Sequence, residues 1–178
     1  MKKINKNKGI VFWITGLSGS GKTTLAKKIK KDISKIYGPT IMISGDDLRK
    51  IFGLKGYEYL DRVEILKKYC QFCKYISNQK INIILAVAGL IEGPRKWNRK
   101  NIENYIEIYV KSNIKNIISS KKKRIYLKKN PGKITGIDIK PEYPKSPDII
   151  VNNSFKISTD KIAIKLLKSI NKLLSKKI

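Results

Sequence analysis

The chain has 178 residues, enough for one domain with its own hydrophobic core. Hydrophobic residues make up 41% and charged residues 30%, a balance that excludes a disordered or fibrous protein. No stretch approaches the roughly 20 uncharged apolar residues that a membrane span requires. The basic N-terminus is followed by a strand-like run without a small-residue cleavage site, so no signal peptide is predicted. We expect a cytoplasmic protein with no membrane partner.

The chain carries 40 Lys and Arg against 13 Asp and Glu, a net charge of +27. Such a surface attracts phosphates, so a nucleic-acid-binding ATPase is a distant alternative. The basic residues are scattered from end to end, however, and the aromatic residues fall mostly in predicted strands and helices rather than on one basic face. We therefore expect a solvated basic surface and no nucleic-acid partner.

Histidine is absent, which removes the usual general base and the commonest zinc ligand. Cys70 and Cys73 lie in one predicted helix, with no second Cys or His pair to complete a metal site. A buried helix face is the favoured interpretation, and a redox pair is the alternative.

Predicted strands and helices alternate along the chain. Residues 10–15 form a short apolar, β-branched and aromatic run, typical of a strand buried on both faces. From Lys22 onward, apolar residues recur at helical spacing until Gly38-Pro39. The same criteria predict strands at residues 40–44, 81–87, 106–110 and 149–151, and helices at residues 60–78 and about 162–174.

This alternation predicts an α/β fold in which a mostly parallel five-stranded sheet is covered on both faces, giving three α/β/α layers. Residues 119–147 are rich in Lys, Gly and Pro and lack periodicity. They are predicted to form a long mobile loop, and such loops are usually functional. No internal repeat is found, so residues 1–178 are predicted to form a single domain.

Residues 16–23 match the P-loop pattern of Gly, four residues, then Gly-Lys-Ser/Thr. Glycines let successive backbone N–H groups surround a phosphate, and the helix that follows adds the positive end of its dipole. A glycine-rich turn without a ligand is the alternative, but the pattern lies between a buried strand and an amphipathic helix, as phosphate binding requires. The pattern predicts that ATP is bound by Gly16, Leu17, Ser18, Gly19, Ser20, Gly21, Lys22, Thr23 and Thr24.

Within this site Lys22 is predicted to reach the β- and γ-phosphates, and the Thr23 hydroxyl to hold Mg²⁺. The base-reading Asn-Lys-x-Asp motif of GTPases is absent, and motor or transporter ATPases are much longer. A small kinase of nucleotides or metabolites needs only the P-loop, a carboxylate that activates the acceptor, and a lid.

The acceptor-activating carboxylate is predicted at Asp46. It follows the second strand, which in a parallel sheet places it at the carboxyl edge beside the P-loop. Without histidine, Asp46 is the best candidate to orient an attacking hydroxyl and accept its proton. The alternative is a helix N-cap, and the adjacent Asp46 and Asp47 could divide the two roles.

Together these segments resemble the adenylylsulfate (APS) kinase family over residues 9–153, with the shared motifs in the family's order. The motifs are residues 12–24, 45–49, 61–62 and 135–138, with Pro144 and Pro147-Asp148 following. The resemblance implies a P-loop kinase fold with a lid at about residues 121–136, a homodimer, and transfer of the ATP γ-phosphoryl group to the ribose 3′-hydroxyl of APS. It implies catalytic roles for Asp46 and Lys22, and acceptor contacts by Asp46, Arg49, Tyr57, Arg62, Ile134 and Thr135.

In this resemblance Arg49 and Arg62 match arginines that hold the acceptor's anionic group. Tyr57 replaces a phenylalanine that stacks on the base, and Ile134 stands where a second stacking phenylalanine is usual. The usual Asn after Asp61-Arg62 and the Ser of the turn after the third strand are missing. These departures fall on the acceptor pocket and spare the ATP site.

Residues 95–102 also resemble a branch of APS-kinase-like proteins found with bacterial polysaccharide genes. One member of that branch phosphorylates the ribose 3′-hydroxyl of cytidine diphosphoramidate, on the route to a capsule phosphoramidate group. The alternative for Trp97 in this segment is simple packing against the sheet. We expect a nucleotide 3′-kinase with cytidine diphosphoramidate slightly favoured over APS. A non-catalytic homologue is disfavoured because Lys22, Thr23 and Asp46 are intact.

Overall fold

The computed structural model describes residues 3–120 and 134–176. Its centre is a five-stranded parallel sheet in the spatial order β2-β3-β1-β4-β5. The strands are β1 Val11–Thr15, β2 Thr40–Ser44, β3 Asn82–Val87, β4 Tyr105–Lys111 and β5 Ile149–Asn152. The helices are α1 Lys22–Tyr37, α2 Gly45–Ile51, α3 Tyr59–Asn78, α4 Glu92–Asn101, α5 Ile114–Ser119 and α6 Thr159–Ser175. The predicted α/β fold is confirmed, and every described strand pairing is parallel.

The two faces of the sheet bury separate cores. On one face α1 and α6 pack against alternate strand residues such as Phe12, Ile84 and Ile106. On the other face α3 and α4 cover the intervening side chains, among them Trp13 and Leu85. Because strand residues alternate between faces, near-continuous apolar runs are what a sheet covered on both sides requires.

The remaining side chains singled out in the sequence lie where packing was expected. Cys70 and Cys73 are buried as free thiols on α3, and burial raises the pKa of the Cys70 thiol to about 12. The helix-face interpretation is therefore confirmed. Trp97 is half-buried against the apolar cluster that α3 and α4 cover, and Lys74 of α3 lies over its ring. Within the described ranges, no helix is long and apolar enough to cross a membrane.

Three helices were not predicted. Helix α2 has seven residues and α5 has six, too short to show a period. Helix α4 buries Pro94, Arg95 and Asn98, so it presents polar groups to the interior instead of an apolar stripe. Of the predicted loop at residues 119–147, positions 121–133 lie outside the described residues. Residues 134–148 run without a helix or strand to the start of β5.

Candidate active site

The phosphate loop joins β1 to α1 at the carboxyl edge of the sheet. Gly19 and Gly21 adopt positive φ angles of 78° and 94°, which glycine tolerates without strain. Gly21 is the N-cap of α1, and the helix begins at Lys22. The backbone N–H groups of the first turn therefore lie beside the loop, as an anion site at a helix N-terminus requires.

Neighbouring backbone and side-chain atoms lie close to the glycines of this loop. A Cβ on Gly16 would lie 2.5 Å from the carbonyl oxygen of Val110 at the end of β4. A Cβ on Gly21 would lie 2.8 Å from Nδ2 of Asn153, which donates a hydrogen bond to the Ser20 carbonyl over 3.0 Å. Asn153, buried after β5, therefore anchors the loop from outside the motif. The motif alone gave no sign of this contact.

Lys22 is buried, and its Nζ donates to the Leu17 carbonyl oxygen over 2.7 Å, so the ammonium group lies over the loop. Thr23 is exposed on the first turn of α1. A hydroxyl oxygen is a suitable ligand for Mg²⁺, which prefers oxygen and keeps several waters and phosphate oxygens around it. No group of three or more acidic or thiol side chains that could cage a metal occurs among residues 3–120 and 134–176. A single hydroxyl oxygen on this turn fits Mg²⁺ whose other ligands are phosphate oxygens and waters.

Asp46 and Asp47 occupy the first turn of α2, directly after β2. The N-cap of this helix is Ser44, whose Oγ accepts from the Asp47 N–H, while Asp47 Oδ2 accepts from the Ser44 N–H over 3.0 Å. The Ser44 hydroxyl also donates to Asp47 Oδ2 over 2.6 Å, and this bond, together with the one from the Ser44 N–H, lowers the pKa of the Asp47 carboxyl group. The capping function therefore belongs to Ser44 and Asp47, which corrects the suggestion that Asp46 caps the helix.

Tyr69 is a residue that sequence reasoning missed. Its hydroxyl donates to the Gly45 carbonyl oxygen over 2.8 Å, tying α3 to the residue that precedes Asp46. Burial, with a smaller contribution from the Asp46 charge, raises the pKa of Tyr69 to about 12. Tyr69 is therefore a protonated hydrogen-bond donor at physiological pH. Tyr69 lies at the spacing of the apolar residues that α3 buries, so the sequence predicts only packing for it and not this hydrogen bond.

The structure brings the predicted acceptor residues Arg49, Tyr57 and Arg62 together. The guanidinium carbon of Arg49 lies 4.6 Å from the centre of the Tyr57 ring, and that of Arg62 lies 5.8 Å from it. Arg49 donates to the carbonyl oxygens of Leu54 and Gly56, and Arg62 Nε donates to that of Tyr57. These bonds fix the loop between α2 and α3, and the Tyr57 side chain stays 59% exposed.

Ile134 and Thr135 occupy a different setting. Ile134 is only 5% exposed and packs in a third apolar cluster with Leu17 of the phosphate loop and Tyr109. Its N–H donates to Asp138 Oδ2 over 2.6 Å. Thr135 is buried beside it and pairs with Ile139. Ile134 therefore presents a packed aliphatic side chain next to the loop, not an open face like that of Tyr57.

A cavity of about 440 Å³ lies between α3, α4 and the segment that precedes β5. Glu142 crosses it: one carboxylate oxygen accepts from the Tyr59 hydroxyl over 3.0 Å, and the other accepts from the Glu92 N–H at the start of α4. Its other lining residues are Ile139, Lys140, Pro141, Tyr143 and Lys145.

Comparison with known proteins gives consistent matches. The family model for adenylylsulphate kinase matches residues 8–152. A cytidine diphosphoramidate kinase of Campylobacter jejuni is 32% identical over 152 residues, covering 84% of this chain and 89% of its own length. An adenylyl-sulfate kinase of Clostridium acetobutylicum is 32% identical over 157 residues, covering 84% of this chain and 78% of its own length. The APS kinase of Mycobacterium tuberculosis in complex with AMPPNP and APS superposes with a TM-score of 0.80 at 24% identity, over 92% of this chain and 98% of that one.

Proposed function

Because the chain belongs to the adenylylsulphate kinase family, we propose that it transfers the γ-phosphoryl group of ATP to the ribose 3′-hydroxyl of a nucleotide. The observation that carries the proposal is the arrangement of the sheet edge. The phosphate loop after β1 and Asp46 after β2 lie on the same edge, separated by β3 alone. Ligands of such folds bind at this edge, so we place the donor and acceptor groups there.

In this mechanism the P-loop amides and Lys22 bind the β- and γ-phosphates and stabilise the charge that develops on the transferring group. The Thr23 hydroxyl would hold Mg²⁺, which would supply further neutralisation of the phosphate charge. Asp46 orients the ribose 3′-hydroxyl and accepts its proton. Tyr69 holds the Gly45 carbonyl and so fixes the backbone beside Asp46.

The acceptor's anionic group is assigned to Arg49 and Arg62. Burial and the repulsion from Arg49 lower the pKa of Arg62, so the two cations are close enough to oppose each other. An anion between them relieves that repulsion and accepts charge-assisted hydrogen bonds from both. The exposed Tyr57 ring offers a face on which the nucleotide base can stack.

Cytidine diphosphoramidate is the acceptor that we propose. An aromatic stack is worth about 1–3 kcal/mol per base, and a purine loses more than a pyrimidine when one of two aromatic faces is replaced. Tyr57 is one aromatic face, while Ile134 is aliphatic and packed. The missing Asn and Ser remove hydrogen bonds that would reward an APS-type acceptor. APS is the second candidate, supported by the 32% identity to an adenylyl-sulfate kinase.

Competition between the two acceptors tests this choice. With both acceptors and ATP-Mg²⁺ in one reaction and products resolved by mass, we expect kcat/KM for cytidine diphosphoramidate to exceed that for APS by about tenfold, the ratio that 1.4 kcal/mol gives. A preference for APS would assign the protein to sulfate activation instead.

The proposal also treats the chain as one kinase domain, with residues 119–147 acting as the lid over the bound nucleotides. The homodimer, the cytoplasmic location and the absence of a nucleic-acid partner stay predictions.

A further inference from the structure

Four charged side chains form a connected network beneath α4 that the mechanism above does not use. Arg95 Nε lies 3.1 Å from Glu107 Oε1, and Arg99 Nη2 lies 3.0 Å from Glu107 Oε2 and 3.3 Å from Asp148 Oδ2. The Arg95 side chain is 5% exposed and that of Glu107 is 3% exposed. We refer to these four residues as the Glu107 network.

Stability alone does not explain such a network. Removing charges from water is costly, and well-packed apolar residues of similar volume are often at least as stable as a buried ion pair. Glu107 faces the same layer as Tyr105 in β4, where apolar side chains would fill the space. The network is therefore better explained by what its hydrogen bonds hold in place.

The network reaches two backbone segments through hydrogen bonds. Arg95 Nη1 donates to the Gly89 carbonyl oxygen over 3.1 Å, in the turn that joins β3 to α4. Arg99 Nη2 donates to the Ser146 carbonyl oxygen over 2.8 Å, just before β5. The Glu107 N–H donates to Asp148 Oδ2 over 2.8 Å, which ties β4 to the same segment.

The turn after β3 borders the region where donor and acceptor are proposed to meet, and the segment before β5 contacts this turn. Because β3 lies between β2 and β1, the turn after it lies between Asp46 and the phosphate loop. The Leu90 carbonyl in that turn accepts from the Glu142 N–H over 2.9 Å. Glu142 in turn crosses the cavity between α3 and α4. The turn and the segment before β5 are thus hydrogen-bonded to each other beside this cavity.

We infer that Glu107, with Arg95 and Arg99, is a positioning residue for the acceptor side of the reaction. It holds in place the turn after β3 and the segment that is hydrogen-bonded to this turn, so that an acceptor nucleotide binds beside a preformed wall. This inference rests on the proposed kinase function for its kinetic consequence, and on the hydrogen bonds alone for its structural one.

Two variants test the inference, with one matched control. Arg99→Gln removes the partly exposed arginine of the network and leaves the buried Arg95–Glu107 ion pair intact. We therefore expect this variant to fold even if Glu107→Gln does not. Lys100→Gln makes the same charge change at the next, exposed position of α4 and is the control. Amide hydrogen exchange followed by mass spectrometry, and steady-state kinetics with each substrate varied, are measured on the full-length protein.

For Arg99→Gln we expect exchange near Glu107 and in the peptide that spans residues 146–148 to rise about tenfold, the effect of losing one charge-assisted hydrogen bond. If Glu107→Gln folds, we expect its amide exchange to rise by the same factor at residues 89–91 as well. The acceptor KM should rise by a similar factor while the KM for ATP stays within about twofold. Lys100→Gln should change neither measurement.

Unchanged exchange at these segments in Arg99→Gln would overturn the inference whatever the enzyme's substrate proves to be. Equal rises in the KM values for acceptor and ATP would also overturn it, because the effect would then be a general loss of structure. A wild-type protein that transfers phosphate to neither acceptor would count against the proposed function. The exchange measurement would still decide whether the network positions the two segments.

Discussion

Replacing Lys22 with alanine is expected to lower kcat by about a hundredfold or more while the protein stays folded. The ammonium group lies over the phosphate loop through its hydrogen bond to the Leu17 carbonyl, and no core cluster includes Lys22. The change removes the positive charge beside the transferring phosphoryl group and little packing. Steady-state kinetics with saturating ATP and acceptor, together with the thermal unfolding midpoint, measure the two effects separately.

Lys31→Ala is the matched control for this change, because it removes the same charge from an exposed position of the same helix. It should leave kcat unchanged. If Lys22→Ala turned over at a rate near that of the wild type, the assignment of residues 16–24 as the ATP site would be wrong.

The second large effect is expected at Asp46. Asp46→Asn keeps the shape of the side chain but removes the charge and the proton acceptor, so phosphoryl transfer should slow by about 10²- to 10⁴-fold. ATP should still bind, since the phosphate loop is untouched. Single-turnover transfer and equilibrium binding of an ATP analogue distinguish the loss of chemistry from the loss of nucleotide.

Asp47→Asn is the neighbouring control. It differs from Asp46→Asn because the Asp47 carboxylate is hydrogen-bonded by Ser44 at the start of α2. This variant should lose about 1 kcal/mol of stability through weakened hydrogen bonds with Ser44 and keep most of its activity. The Asp47 pKa is lowered in the folded state. Its contribution to stability is therefore present above the ordinary Asp pKa of about 3.9 and disappears as the pH falls through the lowered value. A greater loss of activity in Asp47→Asn than in Asp46→Asn would mean that Asp47, and not Asp46, accepts the proton of the acceptor hydroxyl.

The sheet and the long helices could be predicted because they follow from apolar periodicity. Strand β1 is a run of buried apolar and β-branched residues, and α6 places apolar residues at helical spacing from Ile162 to Leu174. The phosphate loop was also predictable, because glycine, lysine and threonine at these fixed positions all serve the binding of phosphates and their Mg²⁺.

Contacts between distant segments could not be predicted in the same way. Helix α4 buries the polar residues Arg95 and Asn98, and the ion-pair partner of Arg95 is Glu107 on β4, so no apolar period identifies the helix. Asn153 reaches the Ser20 carbonyl across 133 residues of sequence. One signal was present but unused: Glu107 interrupts an apolar strand, and a buried carboxylate requires a cationic partner. Ser44 as the N-cap of α2 also follows from ordinary capping preferences once the helix is recognised.

The fate of the γ-phosphoryl group tests the central proposal most directly. ATP labelled with radioactive phosphorus in that group is incubated with Mg²⁺, the protein and either cytidine diphosphoramidate or APS, and the labelled product is separated and counted. Mass spectrometry and phosphorus nuclear magnetic resonance of the same product made with unlabelled ATP show which hydroxyl carries the new phosphate. The account predicts label on the ribose 3′-hydroxyl of the acceptor, one phosphoryl group for each ADP formed, and no transfer by Asp46→Asn. Label released only as inorganic phosphate, at the same rate with and without an acceptor, would contradict it.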